Sequence, residues 1–444
     1  MGTSRLGLGG RRGAIAGAVI AVAGATSLTG CGSAGGATST MTNTAAQQHA
    51  QVVRKSASAM TPAEIDRFER AFSYAVGKGY FDAFSDEHLN HMRNRQHGFE
   101  LTATAPPQAL AGETPAWGYR LLPWHRSFIL EGEQMLRAAL RERDRTEGRD
   151  PREADSLFIP YWDAAHDQGL PAWVVAFQPQ GGTALVPEGL PKGNPEYGKP
   201  VGSRYDIRFG RWPGGDVAYQ RLPRPAQVSA ILAHGDFLGF YGAIDAQPTI
   251  VQSAIPAAQQ ALETLERRFP GNADVATVAS VATAATSGTA VPPTDVDTEL
   301  KVIDAIMAVG YLATSEAARP HPDQEVIGAV QTMGTAVIAP PHVVLHLWAG
   351  GVEPGNPEVR GTVSYFNELA VDPVFWMLHT ELDRWWYTWE QTHTGLPPLS
   401  GEDAQFQPLT SQEGAWYGGG RAYSLGDLAP TSTLPYRYAA IFTE

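Results

Sequence analysis

The sequence of 444 residues predicts a mainly α-helical protein with long loops and a few short strands. Three segments place apolar residues at helical spacing: 61–77, 124–143 and 372–389. Much of the chain between them is rich in glycine and proline, which interrupt regular structure. A hydrophobic fraction of 43% with 11 tryptophans is enough to bury a large core, so a folded globular protein is expected.

The first helix has the clearest beginning. Thr61 suits the N-cap, Pro62 suits the first turn, and Glu64 completes a capping box. The apolar face then consists of residues three or four apart, which are Ile65, Phe68, Phe72 and Val76. Gly77 ends this pattern.

Two further predicted helices carry histidines. Residues 80–95 form one of them and contain His88 and His91. The other begins near Trp124, and its apolar residues lie on the face that includes His125.

Residues 163–245 are rich in glycine and proline and predict loops with brief strands. Helical patterns follow at 257–269 and 296–312. Between them, residues 273–293 are a low-complexity run of Ala, Thr, Val and Ser, which predicts a surface insertion. We therefore expect one domain over 51–444, with an insertion around 245–335.

The charge balance is acidic, with 33 basic and 46 acidic residues and a formal net charge of −13. No run rich in lysine or arginine occurs outside the extreme N-terminus. Nucleic acid is therefore excluded as an expected partner.

Residues 1–30 have the pattern of an export signal, because three arginines precede an apolar stretch that is too short for an ordinary membrane span. The stretch ends in Leu28-Thr-Gly-Cys31, which is similar to a bacterial lipobox and implies that Cys31 is lipidated after cleavage. The simpler alternative is a cleaved signal with a spare cysteine. Residues 31–50 then form a flexible tether. We expect an exported protein that is lipid-anchored to the outer face of the bacterial cell membrane.

Histidines near the C-terminal end have the spacing of metal ligands. His342 and His346 lie four residues apart and share one helical face, and His379 with Asp383 repeats that spacing further on. Because Cys31 is the only cysteine, a metal site in this chain must be built from histidines and carboxylates. A lone histidine on an apolar face is more often a core residue bonded to the backbone, but three matched positions favour a metal site.

The motifs around these histidines resemble those of the tyrosinase family, which includes catechol oxidases and the oxygen-carrying hemocyanins. They are Pro-Trp-His-Arg at 123–126, Pro-Tyr-Trp-Asp at 160–163, His-x-x-x-His at 342–346, Asp-Pro-x-Phe at 372–375 and Tyr-x-Tyr at 436–438. The resemblance implies a four-helix bundle that holds two copper ions, each with three histidines. This dinuclear type 3 copper centre would be the cofactor.

The resemblance implies a ligand set for each copper. The second copper would bind His342, His346 and His379. The first would bind His125 and His88, which match the family's pattern, with His97 as the middle ligand. The middle ligand departs from that pattern, because the usual position nine residues before His125 is Ala116. His97 and His91 are the alternatives, and His97 is favoured because relatives commonly place this ligand in a loop.

The resemblance also implies roles for residues around the ligands. The supporting side chains would be Asp383, Asp372 and Arg126, and the substrate pocket would include Val343, Leu347 and Phe375. Leu378 replaces a histidine that relatives carry beside the last ligand.

The implied function is oxidation of o-diphenols to o-quinones by O2. Hydroxylation of monophenols also needs a base, which the family credits to a water held by a Glu and an Asn. Here those positions hold Met333 or Gly334, and Val343, so weak or no monophenol hydroxylation is expected. Alternatives are an o-aminophenol oxidase, a full tyrosinase, a copper- or oxygen-binding protein without turnover, and a degenerate scaffold. The expected partners are a phenolic substrate, O2, the membrane and a copper-delivery helper.

The choice between His97 and His91 predicts opposite results for two single variants. His97→Ala should lose one of two bound coppers because it removes a ligand, whereas His91→Ala should keep both. Copper per purified chain, measured by atomic absorption, tests this. Loss of copper from His91→Ala alone would reverse the assignment.

Overall fold

Helices supply most of the described chain, and their apolar faces meet in one main core. The computed structural model describes residues 52–93, 119–177, 222–245, 249–250, 255–287, 309, 321, 323–338, 341–350, 352–353, 356–360, 363, 369–409, 422–429, 431 and 434–444. The predicted signal, tether and Cys31 lie outside these residues, as do His97 and Ala116. The predicted domain boundaries stay predictions.

The helices, in chain order, are α1 (Pro62–Gly77), α2 (Tyr80–Arg93), α3 (Leu121–Glu147), α4 (Ala164–Asp167), α5 (Ala172–Ala176), α6 (Pro225–Leu232), α7 (Phe237–Asp245), α8 (Ile255–Arg268), α9 (Ala273–Ser287), α10 (Gln324–Ala336), α11 (Pro341–Gly350), α12 (Pro373–Glu390) and α13 (Leu425–Leu428). The predicted mainly helical fold is confirmed. None of the described helices is long and apolar enough to span a membrane.

The strands are short and pair two by two. They are β1 (Val52–Arg54), β2 (Thr249–Ile250), β3 (Val337–Ile338), β4 (Val352–Glu353), β5 (Asn356–Arg360), β6 (Gln405–Phe406), β7 (Tyr423–Ser424) and β8 (Tyr436–Tyr438). β1 pairs with β8 in parallel, and the other pairs, β2–β3, β4–β5 and β6–β7, are antiparallel.

The capping box predicted for α1 is present. The Thr61 side chain accepts a hydrogen bond from the Glu64 backbone N–H, and the Glu64 carboxylate accepts one from the Thr61 N–H at 2.8 Å. Lys55 adds a bond to Glu64 at 2.6 Å. These bonds satisfy backbone donors that the first turn would otherwise leave unpaired.

Helices α3 and α12 form the centre of the main core. They approach closely at Gly132, where a Cβ atom would lie only 2.2 Å from Cζ3 of Trp376. The Trp376 ring stacks on Phe128 with centroids 5.1 Å apart and planes within 2°. α1 packs on α3, and α11 packs on α7 and α12. The helices that carry the candidate ligands therefore belong to one packed body.

A buried ion-pair network joins both ends of the described chain to α12. Asp383 accepts hydrogen bonds from Arg126 on α3, Arg54 on β1, and Tyr436 and Tyr438 on β8. The pairing of Arg54 with Tyr438 in the β1–β8 ladder brings these groups together. Burial alone would raise the pKa of Asp383, but the two guanidinium groups and the two hydroxyls hold it below its ordinary value. Asp383 is therefore a carboxylate at neutral pH.

The chain between α7 and α11 forms a second, smaller core. Its buried residues come from α8, α9 and α10, with Val309, and none of them belongs to the main core. The sequence predicted the helix at 257–269, which α8 matches, but it predicted a surface insertion at 273–293. There α9 is a regular helix that buries Val275 and Val278. Of the helix predicted at 296–312, only residue 309 is described.

Four described helices, α4 to α7, lie within the segment predicted to be loops. Pro225 occupies the first position of α6, where a proline starts a helix rather than interrupting it. The glycines of α7 sit between Phe237, Phe240 and Tyr241, which are buried. Packing of these aromatic side chains therefore outweighs the low helix propensity of glycine.

Replacing Asp383 tests how much the buried network stabilises the fold. Asp383→Ala should lower the free energy of unfolding by about 3–5 kcal/mol, because two buried guanidinium groups would lose their shared anion. Denaturant unfolding measures this. Asp155→Asn is the control, since its ion pair with Arg141 is exposed, and it should change stability by less than about 0.5 kcal/mol. Equal effects of the two substitutions would contradict the role given to Asp383.

Candidate metal centre

Three histidines place their ring nitrogens around one point. His342 and His346 lie one turn apart on α11, and His379 lies on α12, which packs against it. Nε2 of His346 is 3.1 Å from Nε2 of His342 and 3.2 Å from Nε2 of His379. One ligand atom from each residue lies within 4.8 Å of the other two. All three side chains are buried, with exposures of 1–3%.

Backbone carbonyls fix which ring nitrogen carries the proton. Nδ1 of His346 lies 3.1 Å from the Val363 carbonyl oxygen, and Nδ1 of His125 lies 2.9 Å from that of Leu121. A carbonyl oxygen only accepts, so each Nδ1 is the donor and each Nε2 keeps a lone pair. The Nε2 lone pair of His346 therefore faces two further imidazole nitrogens.

This arrangement fits a metal ion. One proton can bridge His346 to only one of its neighbours, whereas a cation satisfies all three nitrogens at once. Imidazole nitrogen suits copper, and the described cluster holds no thiolate that would favour another site type. The donor set is thus the one expected for the second copper.

Two more predicted ligands join this cluster. The His125 ring, on α3, stacks on the His379 ring with centroids 3.7 Å apart and planes within 3°. The His88 ring, on α2, lies 5.7 Å from that of His125. Both are buried. Five of the six predicted ligands therefore meet within the described residues, and the sixth, His97, lies outside them.

Burial keeps three of the described ligands neutral. It lowers the pKa of His125, His346 and His379 well below the ordinary histidine value, and repulsion from neighbouring imidazoles lowers it further. Neutral imidazole is the form that binds metal. The fold therefore presents ligands that need no deprotonation at neutral pH.

Phe375 lies between the two halves of the cluster. Its fully buried ring is 4.5 Å from His379, 5.3 Å from His88 and 6.2 Å from both His125 and His346, measured between centroids. Sequence reasoning assigned Phe375, Val343 and Leu347 to a substrate pocket. The structure places Phe375 against the ligands, whereas the side chains of the other two lie outside the described part of the chain.

The predicted supporting residues hold the helices that carry the ligands. The Asp372 side chain caps α12 by accepting the Val374 N–H at 2.8 Å. Arg126 follows His125 and bonds Asp383, which lies one turn beyond His379. It also bonds Glu390 at 3.0 Å and packs its guanidinium 3.6 Å from the Trp386 ring centroid. The bond from Arg126 to Asp383 thus links a helix from each half of the centre.

A further ion-pair network near His379 was missed by sequence reasoning. Glu381 receives two hydrogen bonds from Arg384, each of 2.7 Å, and one from the Trp385 indole at 2.6 Å. Arg384 also reaches Asp163 at 3.0 Å, the last residue of the Pro-Tyr-Trp-Asp motif. The motif was the sequence signal for this network. It indicates an acidic residue at position 163, but it does not show that Arg384 is the cation that pairs with it.

Comparison with known proteins decides the family. A model described as the common central domain of tyrosinase matches residues 78–392. The chain belongs to the tyrosinase family. The predicted resemblance is thereby confirmed, and the family's dinuclear copper centre is the cofactor, with His342, His346 and His379 as the described triad.

Individual relatives of this tyrosinase-family chain are distant. The tyrosinase of Streptomyces antibioticus is 26% identical over 185 residues, which cover 41% of this chain and 58% of the relative. Polyphenol oxidase B of Solanum lycopersicum is 37% identical over 75 residues, or 14% of this chain and 12% of that protein. An oxygen-bound mutant of Aspergillus oryzae pro-tyrosinase aligns with 88% of this chain and 71% of its own at 14% identity and a TM-score of 0.34. The chain thus spans less than two thirds of the length of these curated relatives.

Removing a described ligand should remove copper. His379→Ala deletes one of three nitrogens, so we expect about one copper fewer per chain. His166→Ala is the matched control, because that histidine is partly exposed and bonded to Asp163 at 2.7 Å. Atomic absorption on the purified proteins gives the counts. An unchanged copper count in His379→Ala would contradict the assigned triad.

Proposed function

We propose that the protein is a type 3 copper oxidase that uses O2 to convert o-diphenols into o-quinones, with weak or no hydroxylation of monophenols. The observation that carries this proposal is the cluster of five buried histidines in a chain of the tyrosinase family. When bound, the copper pair takes up O2 and accepts electrons, so that two diphenols reduce one O2 to two waters.

The residues of this chain hold and shield that centre. The carbonyls of Leu121 and Val363 keep His125 and His346 in the ligand tautomer. The buried ring of Phe375 contacts the rings of His88 and His379, one from each half, and this apolar side chain offers water no hydrogen-bond partner there. The links through Asp383 fix the relative positions of α3 and α12.

The predicted preference for diphenols rests on what the chain lacks for proton removal. A monophenol must lose its phenolic proton before hydroxylation, and the family resemblance assigns that task to a water held by a Glu and an Asn. Val343 has no group that holds water, and neither Met333 nor Gly334 supplies a carboxylate. A diphenol does not require this hydroxylation step, so its oxidation should persist.

Oxygen uptake by the copper-loaded protein tests the function directly. Catechol should drive steady uptake, 2-aminophenol should do so if amines are accepted, and tyrosine should give little. Copper binding without uptake for any phenol would favour the alternative of a copper- or oxygen-binding protein. Absence of bound copper would favour the degenerate scaffold.

Restoring the water-holding groups should shift the preference. Val343→Asn combined with Met333→Glu or Gly334→Glu should raise the ratio of tyrosine to catechol turnover by at least about tenfold, since base catalysis contributes on that scale or more. Val343→Ala is the control, because it changes size without adding a polar group. Equal ratios in all variants would show that the missing groups do not limit hydroxylation.

We also propose that the protein is exported and anchored by a lipid on Cys31. The support is the sequence pattern before Cys31 and the acidic body that follows it. Cys31→Ala should move the protein from the membrane fraction to the soluble fraction, detected by immunoblot. Retention of Cys31→Ala in the membrane would contradict the anchor.

Copper delivery by a helper belongs to the same proposal, and full loading by copper salt alone would make the helper unnecessary.

A further inference from the structure

The second core belongs to a unit that holds its own shape. We call α8, α9 and α10 the helical insert. Leu265 and Val330 are fully buried within it, and no residue of its core is shared with the main core. Ion pairs join α8 to the start of α10, from Arg267 to Glu325 and from Arg268 to Asp323 at 3.3 Å. The insert is therefore a packed unit of its own, and not a loose loop.

The insert is attached through a two-stranded stem. In the antiparallel pair β2–β3, Thr249 pairs with Ile338 and Ile250 pairs with Val337. The chain enters the stem after α7 and leaves it before α11, and these two helices pack on each other. The stem thus lies at the end of α11 where the first ligand, His342, is placed.

The stem is close to the copper ligands. Ile338 lies four positions before His342, so their Cα atoms lie within about 14 Å of each other even for a fully extended chain. Helix α8 alone, with 14 residues, is about 21 Å long. The insert is therefore attached to the chain at a distance from His342 that is shorter than one of its own helices.

We propose that the helical insert determines substrate size, so that free single-ring diphenols reach the copper centre while diphenol groups borne on a polypeptide are excluded. This inference rests on the proposed function. The aromatic ring that reacts must contact the metal centre. A polypeptide attached to that ring must therefore come about as near to the centre as the stem is to His342. In this proposal the packed insert occupies the space beside the stem, and it cannot be compressed to make room.

Excision of the insert is the first test. Residues 251–336 are replaced by Asn-Gly, which joins Ile250 to Val337 as a two-residue hairpin turn suited to their antiparallel pairing. Because the two cores share no residue, this deletion leaves the main core packed. The probes are catechol and a peptide that carries one dihydroxyphenylalanine.

We expect excision to change the discrimination between catechol and the peptide, and to leave catechol oxidation itself intact. The kcat/KM for catechol should stay within about twofold, whereas kcat/KM for the peptide should rise at least about tenfold. An unchanged ratio of the two values would overturn the proposal. Loss of copper loading in cells with an unchanged ratio would overturn it as well, in favour of a docking unit for copper delivery.

A binding measurement separates failure of this inference from failure of the proposed function. Benzoate and a benzoyl-capped peptide are titrated into the copper-loaded intact and excised proteins, and the visible absorption of copper reports binding. Size discrimination in the intact protein that disappears on excision supports the inference even if catechol is not turned over. Equal discrimination in both proteins rejects it, whatever the oxidase assay shows.

A point variant covers the case in which the excised chain does not fold. Leu265→Asp places a carboxylate in the core of the insert and should disorder it, with the same rise in the peptide-to-catechol ratio. Glu266→Asp is the matched control, since it introduces the same residue at the exposed neighbouring position. If both variants discriminate like the intact protein while hydrogen exchange shows the insert disordered in Leu265→Asp, the proposal is wrong.

Discussion

The buried carboxylate of Asp383 is the interaction on which the arrangement of the site most depends. It lies one turn beyond His379, and it bonds Arg126, which directly follows His125. A single ion pair therefore couples the helices that bring the stacked His125 and His379 rings together. The tyrosine hydroxyls of β8 and the guanidinium of Arg54 complete its hydrogen bonds, so the carboxylate is buried without an unpaired oxygen. Its lowered pKa shows that these partners more than offset the effect of burial.

The ligand cluster is arranged by a different principle. Backbone carbonyls orient His125 and His346. Orientation by backbone groups leaves room for apolar side chains around the rings, and Phe128 and Phe375 contact His125 and His379 there. Low polarity strengthens the preference for neutral imidazole, which the metal requires. The charged groups around Asp383 lie one turn beyond His379, where they stabilise helices without competing for the copper ions.

Sequence reasoning identified the helices and most ligands because local patterns specify them. The capping box at Thr61 and the four-residue spacing of His342 and His346 are set within single helices. The meeting of Arg54 with Asp383 is not local, since 329 residues separate them, and no periodicity reports it. The sequence predicted no helix at Ala273–Ser287 because its faces differ little in polarity. Packing of Val275 and Val278 stabilises it, and the Asn272 side chain accepts bonds from its first turn. The middle ligand of the first copper stays a prediction, since His97 lies outside the described residues.

The parallel pairing of β1 with β8 has a consequence for biosynthesis. Arg54 precedes every described helix of the main core, whereas its partners Tyr436 and Tyr438 follow all of these helices and are synthesised after them. Until they emerge, Asp383 and two guanidinium groups lack part of their bonding, and the core cannot close around α12. Helices can form early during synthesis, but completion of the native core must wait for β8, as expected for contacts of such large sequence separation. Incorporation of metal into an ordered site therefore comes after the synthesis of β8.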